Sequence, residues 1–592
     1  MSEDGPDRAI ALAIALVVGL VAALVVGGAL SSLAFGGGWV WPHLDAVLSL
    51  GLGVLDHVSD PAKGWPSSMR AQVAGPLAYW SGVAAVLAAV VGLAGAARRR
   101  FGPRTSDGFA SASELRREAS IAAARRKAAL TRPTLSRRQR HRRAEIGYPL
   151  GRAKTGGVAL WPSWEASVRV VAEPGAGKTR RVLVPILAQH PGPALATSSK
   201  SDLYALTVGA RRAGGRPVAV FDPDGVAPSS QRLTWSPVAG CEDSRTAERR
   251  AGGLLQASRA DEEVRNPGLF TDSAQALLRC FLAAAALDGR DMTSVLAWAA
   301  SLGDPTPADI LRRRRPDSGW AETVLTHTTG APETTSGVGR YLARALACFA
   351  HADLLETCCP APGAGLDIAA HLQAAGTIYL LGGEEDLGGV APLVTALATE
   401  VLHEASRLAR RAPGQRLDPP LLVLLDEVAN IAPLPNLASL VATGRGRGIV
   451  TVYALQSFSQ AVERWGASQA QTLANATTIT VVYGGLGSGH DLEELERLCG
   501  RRRVRKESVH VGGSGQSATR SWETEAVMRA DEIRTLRRGE ALVLWGSLPP
   551  VVSRFADWRG RPEPRHPEPA GQTLSVAPAY PPASWVSGGR VR

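Results

Sequence analysis

The sequence predicts an α/β fold: a mostly parallel sheet with helices on both faces, carrying an inserted all-α subdomain and preceded by a two-helix transmembrane hairpin. Three observations predict it. Short apolar runs alternate with helical periodicity; one of them, Leu421–Leu425, ends in the paired acids Asp426 and Glu427; another, Val168–Val171, ends in a glycine-rich loop.

The chain opens on a membrane-like segment. Residues 9–35 carry no charged side chain, and a transmembrane helix needs about 20 apolar residues. The run exceeds the core of a cleaved signal peptide, and its front is acidic at Glu3, Asp4 and Asp7. A second apolar run covers 77–97. Trp39 and Trp41 follow the first, Tyr79 and Trp80 begin the second, and Arg98, Arg99 and Arg100 close it. The positive-inside rule then places both termini and the body in the cytoplasm, with the protein in the plasma (inner) membrane and residues 36–76 outside. The apolar stretch 46–55 is too short to span and suits the outer interface.

Residues 98–152 read as a basic juxtamembrane linker. They hold 16 Lys and Arg against four acids, a surplus equal to the net charge of +12 for the whole 592-residue chain. A uniformly basic, nucleic-acid-coated body is thereby excluded. Anionic lipid headgroups are the first partner for such a segment, and DNA phosphates the second. The six cysteines show no metal-ligand spacing and read as reduced thiols.

After Val168–Val171 come Ala172, Glu173, Pro174, Gly175, Ala176 and Gly177, then Lys178 and Thr179 opening a helical stretch. This strand, loop and helix order is that of a phosphate-binding loop. Glycines admit backbone N–H groups to phosphate oxygens, Lys178 reaches the β and γ phosphates of ATP, and the Thr179 hydroxyl binds Mg²⁺. The full pattern has glycine where this chain has Ala172, which is tolerable at negative φ.

The five apolar residues Leu421–Leu425 have the length and flanks of a buried parallel strand. In phosphate-loop proteins such a strand delivers an aspartate to the magnesium shell, here Asp426, and in many ATPases the next glutamate, here Glu427, acts on the attacking water. Further strands are expected at 193–197, 216–221, 377–381, 450–455, 478–483 and 541–544. Between 241 and 366 only helical patterns occur, as at 274–287 and 295–302. The motor domain is therefore expected at 153–240 and 367–558, interrupted by an all-α subdomain at 241–366. Residues 559–592 read as a disordered Pro/Gly-rich tail.

The residues DEVANIAPLPNLASLVATGRGRGI followed by LQSFSQ resemble the conjugative coupling proteins of type IV secretion, the TraG/TraD-like ATPases. GKTRRVLVPIL, SSKSDLY, Asp222-Pro223, Trp235-Ser236-Pro237 and NATTITVVYGG support the resemblance; Ala172 and Phe270 depart from it. It implies RecA-like motor domains in a membrane-anchored homo-hexamer that binds ATP between neighbours. The implied task is passing single-stranded DNA with its relaxase, and sometimes proteins, to the secretion channel. On this chain, Lys178 and Thr179 would hold phosphate and Mg²⁺, Asp426 would complete the metal shell, and Glu427 would activate water. Gln456 would sense the γ-phosphate, and Arg445, with Arg447 competing, would be the finger inserted into the neighbouring subunit.

Other cargoes fit the same motor: double-stranded DNA pumped at a septum, or exported protein. A different class also fits, a membrane receptor that assembles on ATP and does no mechanical work.

Overall fold

The computed structural model describes residues 5–43, 46–101, 108–223, 225, 233–256, 267–361, 363–382, 390–512 and 515–558. The expected tail at 559–592 lies outside them, as do residues 102–107 of the expected linker. The chain forms two compact units, Met1–Arg104 and Thr105–Arg592.

In the first unit the helices Gly5–Phe35 and Pro76–Phe101 pack together through small residues. A Cβ on Gly82 would stand 2.5 Å from the Gly27 carbonyl oxygen, and one on Gly27 would stand 2.5 Å from Val83 Cα. Backbones this close exclude any larger side chain, the usual device where helices associate without a hydrophobic driving force. The Tyr79 hydroxyl donates to the Leu24 carbonyl at 2.9 Å. The short helix Val47–Asp56 lies against the first helix, its Gly51 facing Val21. Among the described residues one segment, Pro76–Leu93, is long and apolar enough to cross a membrane; the apolar stretch Gly19–Phe35 is shorter.

The larger unit is built on a sheet. In chain order its strands are β1 (Gly151–Ala153), β2 (Ala159–Leu160), β3 (Val168–Val171), β4 (Ala194–Ser198), β5 (Val218–Phe221) and β6 (Thr377–Leu381). There follow β7 (Leu421–Leu425), β8 (Ile449–Leu455), β9 (Ile479–Tyr483), β10 (Arg501–Gly512), β11 (Gly515–Ala526), β12 (Glu540–Trp545) and β13 (Val551–Arg554). Eleven of them form one sheet in the order β2-β1-β13-β12-β9-β3-β8-β7-β4-β6-β5, while β10 and β11 pair only with each other. From β9 to β5 every pairing is parallel; the strands beyond β9 are antiparallel.

The parallel strands are apolar on both sides because both sides are covered. Along β7, Leu421, Val423 and Leu425 enter one core, and Leu422 and Leu424 enter the opposite one. The eight expected strands lie within two residues of β3 to β9 and β12. The strands β1, β2 and β13 and the β10–β11 hairpin are not among those expected from sequence. β1 and β2 are three residues or fewer, and the hairpin strands carry charge on both faces, so neither shows an apolar period.

Helices fill the interval between β5 and β6, from Ser244–Gln256 to Ile368–Gln373. They are not a separate body with a core of their own. Phe281, Trp298 and Leu342 belong to the same buried cluster as Val423 and Leu425. Gly253 allows the close contact, since a Cβ there would stand 2.8 Å from Ala396 Cα in the helix Ala391–Arg411.

From residue 108 onward the expected linker is folded into this unit. Ser111 caps the helix Ala112–Glu118 in a capping box with Glu114, and the Ala110 N–H donates to the Pro550 carbonyl at 3.1 Å. Arg132 is buried between Glu145 and Asp418, while Thr134 donates to Asp418 from both its N–H and its hydroxyl.

Candidate nucleotide site

Parallel strands present their carboxyl ends on one edge of a sheet, and ligands collect where the chain reverses strand order. Here β3 is followed by β4, yet β8 and β7 lie between them. The loop after β3, the acids after β7, Gln456 after β8 and Ser199 just after β4 are thereby gathered on one edge.

The phosphate loop takes its shape from two glycines, Gly175 at φ +80° and Gly177 at φ +91°, values that side chains rarely tolerate. Ala172 has no positive φ, and its N–H donates to Leu455 at 3.1 Å, so its methyl group is accommodated. Glu173 lies against Gly485, and Pro174 and Gly175 are exposed. Lys178 is buried and directed at the acids: Nζ is 3.2 Å from Glu427 Oε1 and 3.5 Å from Asp426 Oδ1. The Thr179 hydroxyl donates to Asp426 Oδ2 at 2.9 Å. Four of the residues expected to act together are therefore in contact.

Asp426 is fixed from below by its N–H donating to the Thr197 carbonyl and by the Thr197 hydroxyl donating to its own carbonyl, each at 3.2 Å. Burial raises the pKa of its carboxyl group, opposed by Lys178 and by the Thr179 hydrogen bond. Its Oδ1 accepts no hydrogen bond although buried. Glu427 adopts φ +52°, a left-handed conformation that is costly for a residue with a side chain. Its Oε2 accepts from the Ser199 hydroxyl at 3.0 Å.

Gln456 follows β8, which lies between β3 and β7. Its N–H donates to Gln460 Oε1 at 2.9 Å, and Gln460 Nε2 donates to Asn430 Oδ1 at 3.3 Å. The Asn430 N–H in turn donates to the Glu427 carbonyl at 2.9 Å. The two strand ends are thus joined by a hydrogen-bonded bridge. Ser199, Asn430 and Gln460 were assigned no role from sequence; the only sign of them is that SSKSDLY, DEVAN and LQSFSQ contain polar residues just beyond buried strands.

Arg445 and Arg447 are not at this edge. They form the turn before β8, whereas Gln456 follows its last residue, a separation of about 23 Å along a seven-residue strand. Arg445 Nη2 lies 3.5 Å from Glu165 Oε2 and the side chain is 58% exposed. Arg447 lines a separate cleft with Arg249, His403 and Asn436. A cleft of about 1000 Å³ is elsewhere again, between the inserted helices and Ala391–Arg411, with Arg250, Arg290 and Arg407 in its wall. The phosphate loop itself opens onto solvent.

A parallel sheet with helices on both faces, a glycine loop ending in Lys-Thr, and an acidic pair beside them define a RecA-like phosphate-loop domain. Residues 117–296 match the family described as type IV secretory system conjugative DNA transfer, and residues 420–538 match that of the TraM recognition site of TraD and TraG. The chain belongs to the conjugative coupling proteins of type IV secretion. Its fold resembles that of the bacterial conjugative coupling protein TrwB in unbound form, with a TM-score of 0.51 at 20% identity over 69% of this chain and 88% of that one. TrwB in complex with ADP and Mg²⁺ gives 0.51 at 18% over 69% and 90%, and TrwB with a non-hydrolysable ATP analogue 0.51 at 18% over 69% and 89%. No curated protein sequence shows significant similarity to the chain.

Proposed function

We propose that this chain is a membrane-anchored, homo-hexameric ATPase that couples ATP hydrolysis to the recruitment and transport of single-stranded DNA, with its relaxase, into a type IV secretion channel. The observation that carries the reading is the contact set of Lys178, Thr179, Asp426 and Glu427 in a chain of the coupling-protein family. The backbone N–H groups from Gly175 to Thr179 hold the phosphates at the start of a helix, whose partial positive charge favours them.

The donor set fits Mg²⁺. A hard cation takes oxygen ligands and keeps several waters, and Asp426 Oδ1 is a buried carboxylate oxygen without a hydrogen bond beside the Thr179 hydroxyl. Held there by Asp426 and Thr179, Mg²⁺ would supply neutralisation of phosphate charge. Lys178 exchanges its carboxylate partners for phosphate oxygens. Glu427, released from Lys178 and still held by Ser199, then takes the proton of the attacking water, and Gln456 contacts the γ-phosphate. Arg445 acts on the site of the next subunit, which suits a residue some 20 Å from its own.

The helix Pro76–Phe101 exposes Leu77, Val91 and Leu93. With Gly5–Phe35 it supports a two-pass anchor with both termini cytoplasmic, and the basic residues after it meet anionic lipids. The test is hydrolysis of Mg²⁺–ATP by the purified full chain in detergent, with and without single-stranded DNA. Stimulated turnover that Lys178→Ala abolishes is expected; unchanged turnover in that variant removes the site assignment.

A further inference from the structure

After the helix Gly489–Cys499 the chain leaves the main sheet as a hairpin of two twelve-residue strands, paired without a break from Arg501 opposite Ala526 to Gly512 opposite Gly515. Successive side chains of a strand point to opposite faces. At the base of the hairpin one face carries Arg502, Val504 and Lys506 with Ser521, Glu523 and Glu525. That face is neutralised, since Lys506 pairs with Glu523 and lies 3.7 Å from Glu525. The other face carries Arg501, Arg503 and Arg505 with Trp522, Thr524 and Ala526.

The second face is chemically different. Its three arginines are exposed, and among the described residues no ion pair involves them. Trp522 is directly opposite Arg505, diagonal to Arg503, and 71% exposed. A solvated arm needs no exposed indole and intersperses both signs of charge, as the first face does. Arginines on alternate residues stand about 7 Å apart along the strand, beside an aromatic surface.

We propose that the face of this hairpin bearing Arg501, Arg503, Arg505 and Trp522 binds single-stranded nucleic acid. The guanidinium groups contact successive phosphates and the indole stacks on a base. An unpaired base is what the indole requires, which favours a single strand over a duplex. The proposal deepens the function proposed above, whose cargo is DNA, by assigning a contact surface for it.

The experiment measures binding of the full chain in detergent to a fluorescein-labelled oligothymidylate across a range of salt. Replacing Arg501, Arg503 and Arg505 together by serine should lower the slope of log affinity against log salt by about 2, at about 0.7 per phosphate contact. Trp522→Ala should weaken binding about tenfold and leave the slope unchanged. ATP hydrolysis without DNA should stay at the wild-type rate in both variants, and Arg137, Arg138 and Arg140 replaced by serine should keep the tryptophan effect. If the wild-type chain binds DNA and both hairpin variants bind it equally well, the hairpin is not the site; loss of transfer in cells by those same variants would make it a protein-docking arm and also overturn the proposal. Equal affinity and equal Trp522 dependence on a duplex of the same length would overturn the choice of a single strand. No DNA binding by the wild-type chain overturns both this proposal and the cargo it rests on.

Discussion

Lys178 Nζ lies 3.2 Å from Glu427 Oε1, and the pair is buried although its members are 249 residues apart in the chain. One ammonium group therefore offsets two carboxylates, Asp426 and Glu427, that would otherwise share a poorly solvated edge. In the proposed function phosphate oxygens would compete with both for Lys178, which would link nucleotide binding to release of the glutamate. Glu427→Gln should keep nucleotide affinity within a few-fold and reduce single-turnover hydrolysis by about 10² to 10⁴, the range of a general base. Retained hydrolysis would remove Glu427 from the water-activating role.

Asp426 gives a pH dependence whose sign follows from its cause. Burial raises its folded-state pKa above the ordinary 3.8, so the folded protein holds this proton more tightly than the unfolded chain does. Its contribution to stability is complete below that ordinary value and is lost as pH rises through the elevated one. Mg²⁺ needs the carboxylate, so its affinity should rise over the same interval. Denaturant midpoints without Mg²⁺, and Mg²⁺ titrations with nucleotide at several pH values, should both show the dependence, and Asp426→Asn should flatten both.

Arg445 sits at the opposite end of β8 from Gln456, where its exposed pair with Glu165 contributes at most about 1 kcal/mol and does not hold it back. Arg445→Ala should leave nucleotide affinity unchanged and lower turnover by about 10³. Lys178→Ala has an intact finger and a dead site; Arg445→Ala has the reverse. Mixed in equal amounts before assembly, the two inactive chains should regain part of the wild-type rate. Mixtures as inactive as their components would argue against a finger acting between subunits.

Arg132 ties the basic segment to the motor. It is 3% exposed and Asp418 is 7% exposed, so Arg132→Ala leaves a buried carboxylate held only by Thr134. Breaking such a pair from one side costs about 3 to 5 kcal/mol. Chemical denaturation should show a loss of that order, and Arg138→Ala, whose side chain is exposed, should show little change.

The strands β3 to β9 were legible because each is short, apolar on both faces and bounded by turn residues, so five residues such as Leu421–Leu425 carry their own boundaries. The phosphate loop was legible for the same local reason: strand, glycines, Lys178 and Thr179 are contiguous. The antiparallel strands beyond β12 were not, because Gly151–Ala153 and Val551–Arg554 are short and have no apolar period to announce them. The β10–β11 hairpin was hidden too, since its alternation is one of charge rather than hydropathy. The segment 98–152 misled by composition: its arginines count as positive charge in sequence, but Arg132 is consumed in a buried pair.

By itself, then, the sequence determined the family, the parallel sheet, the phosphate loop and the acidic pair, all of which depend on neighbours within a few residues. Only the tertiary structure decided that Lys178 meets Glu427, that Gln460 bridges the ends of β7 and β8, and that Arg445 lies too far along β8 to serve its own site. Each is set by strand order in the sheet. Adjacency there follows from crossovers between distant segments, and local periodicity carries no record of it.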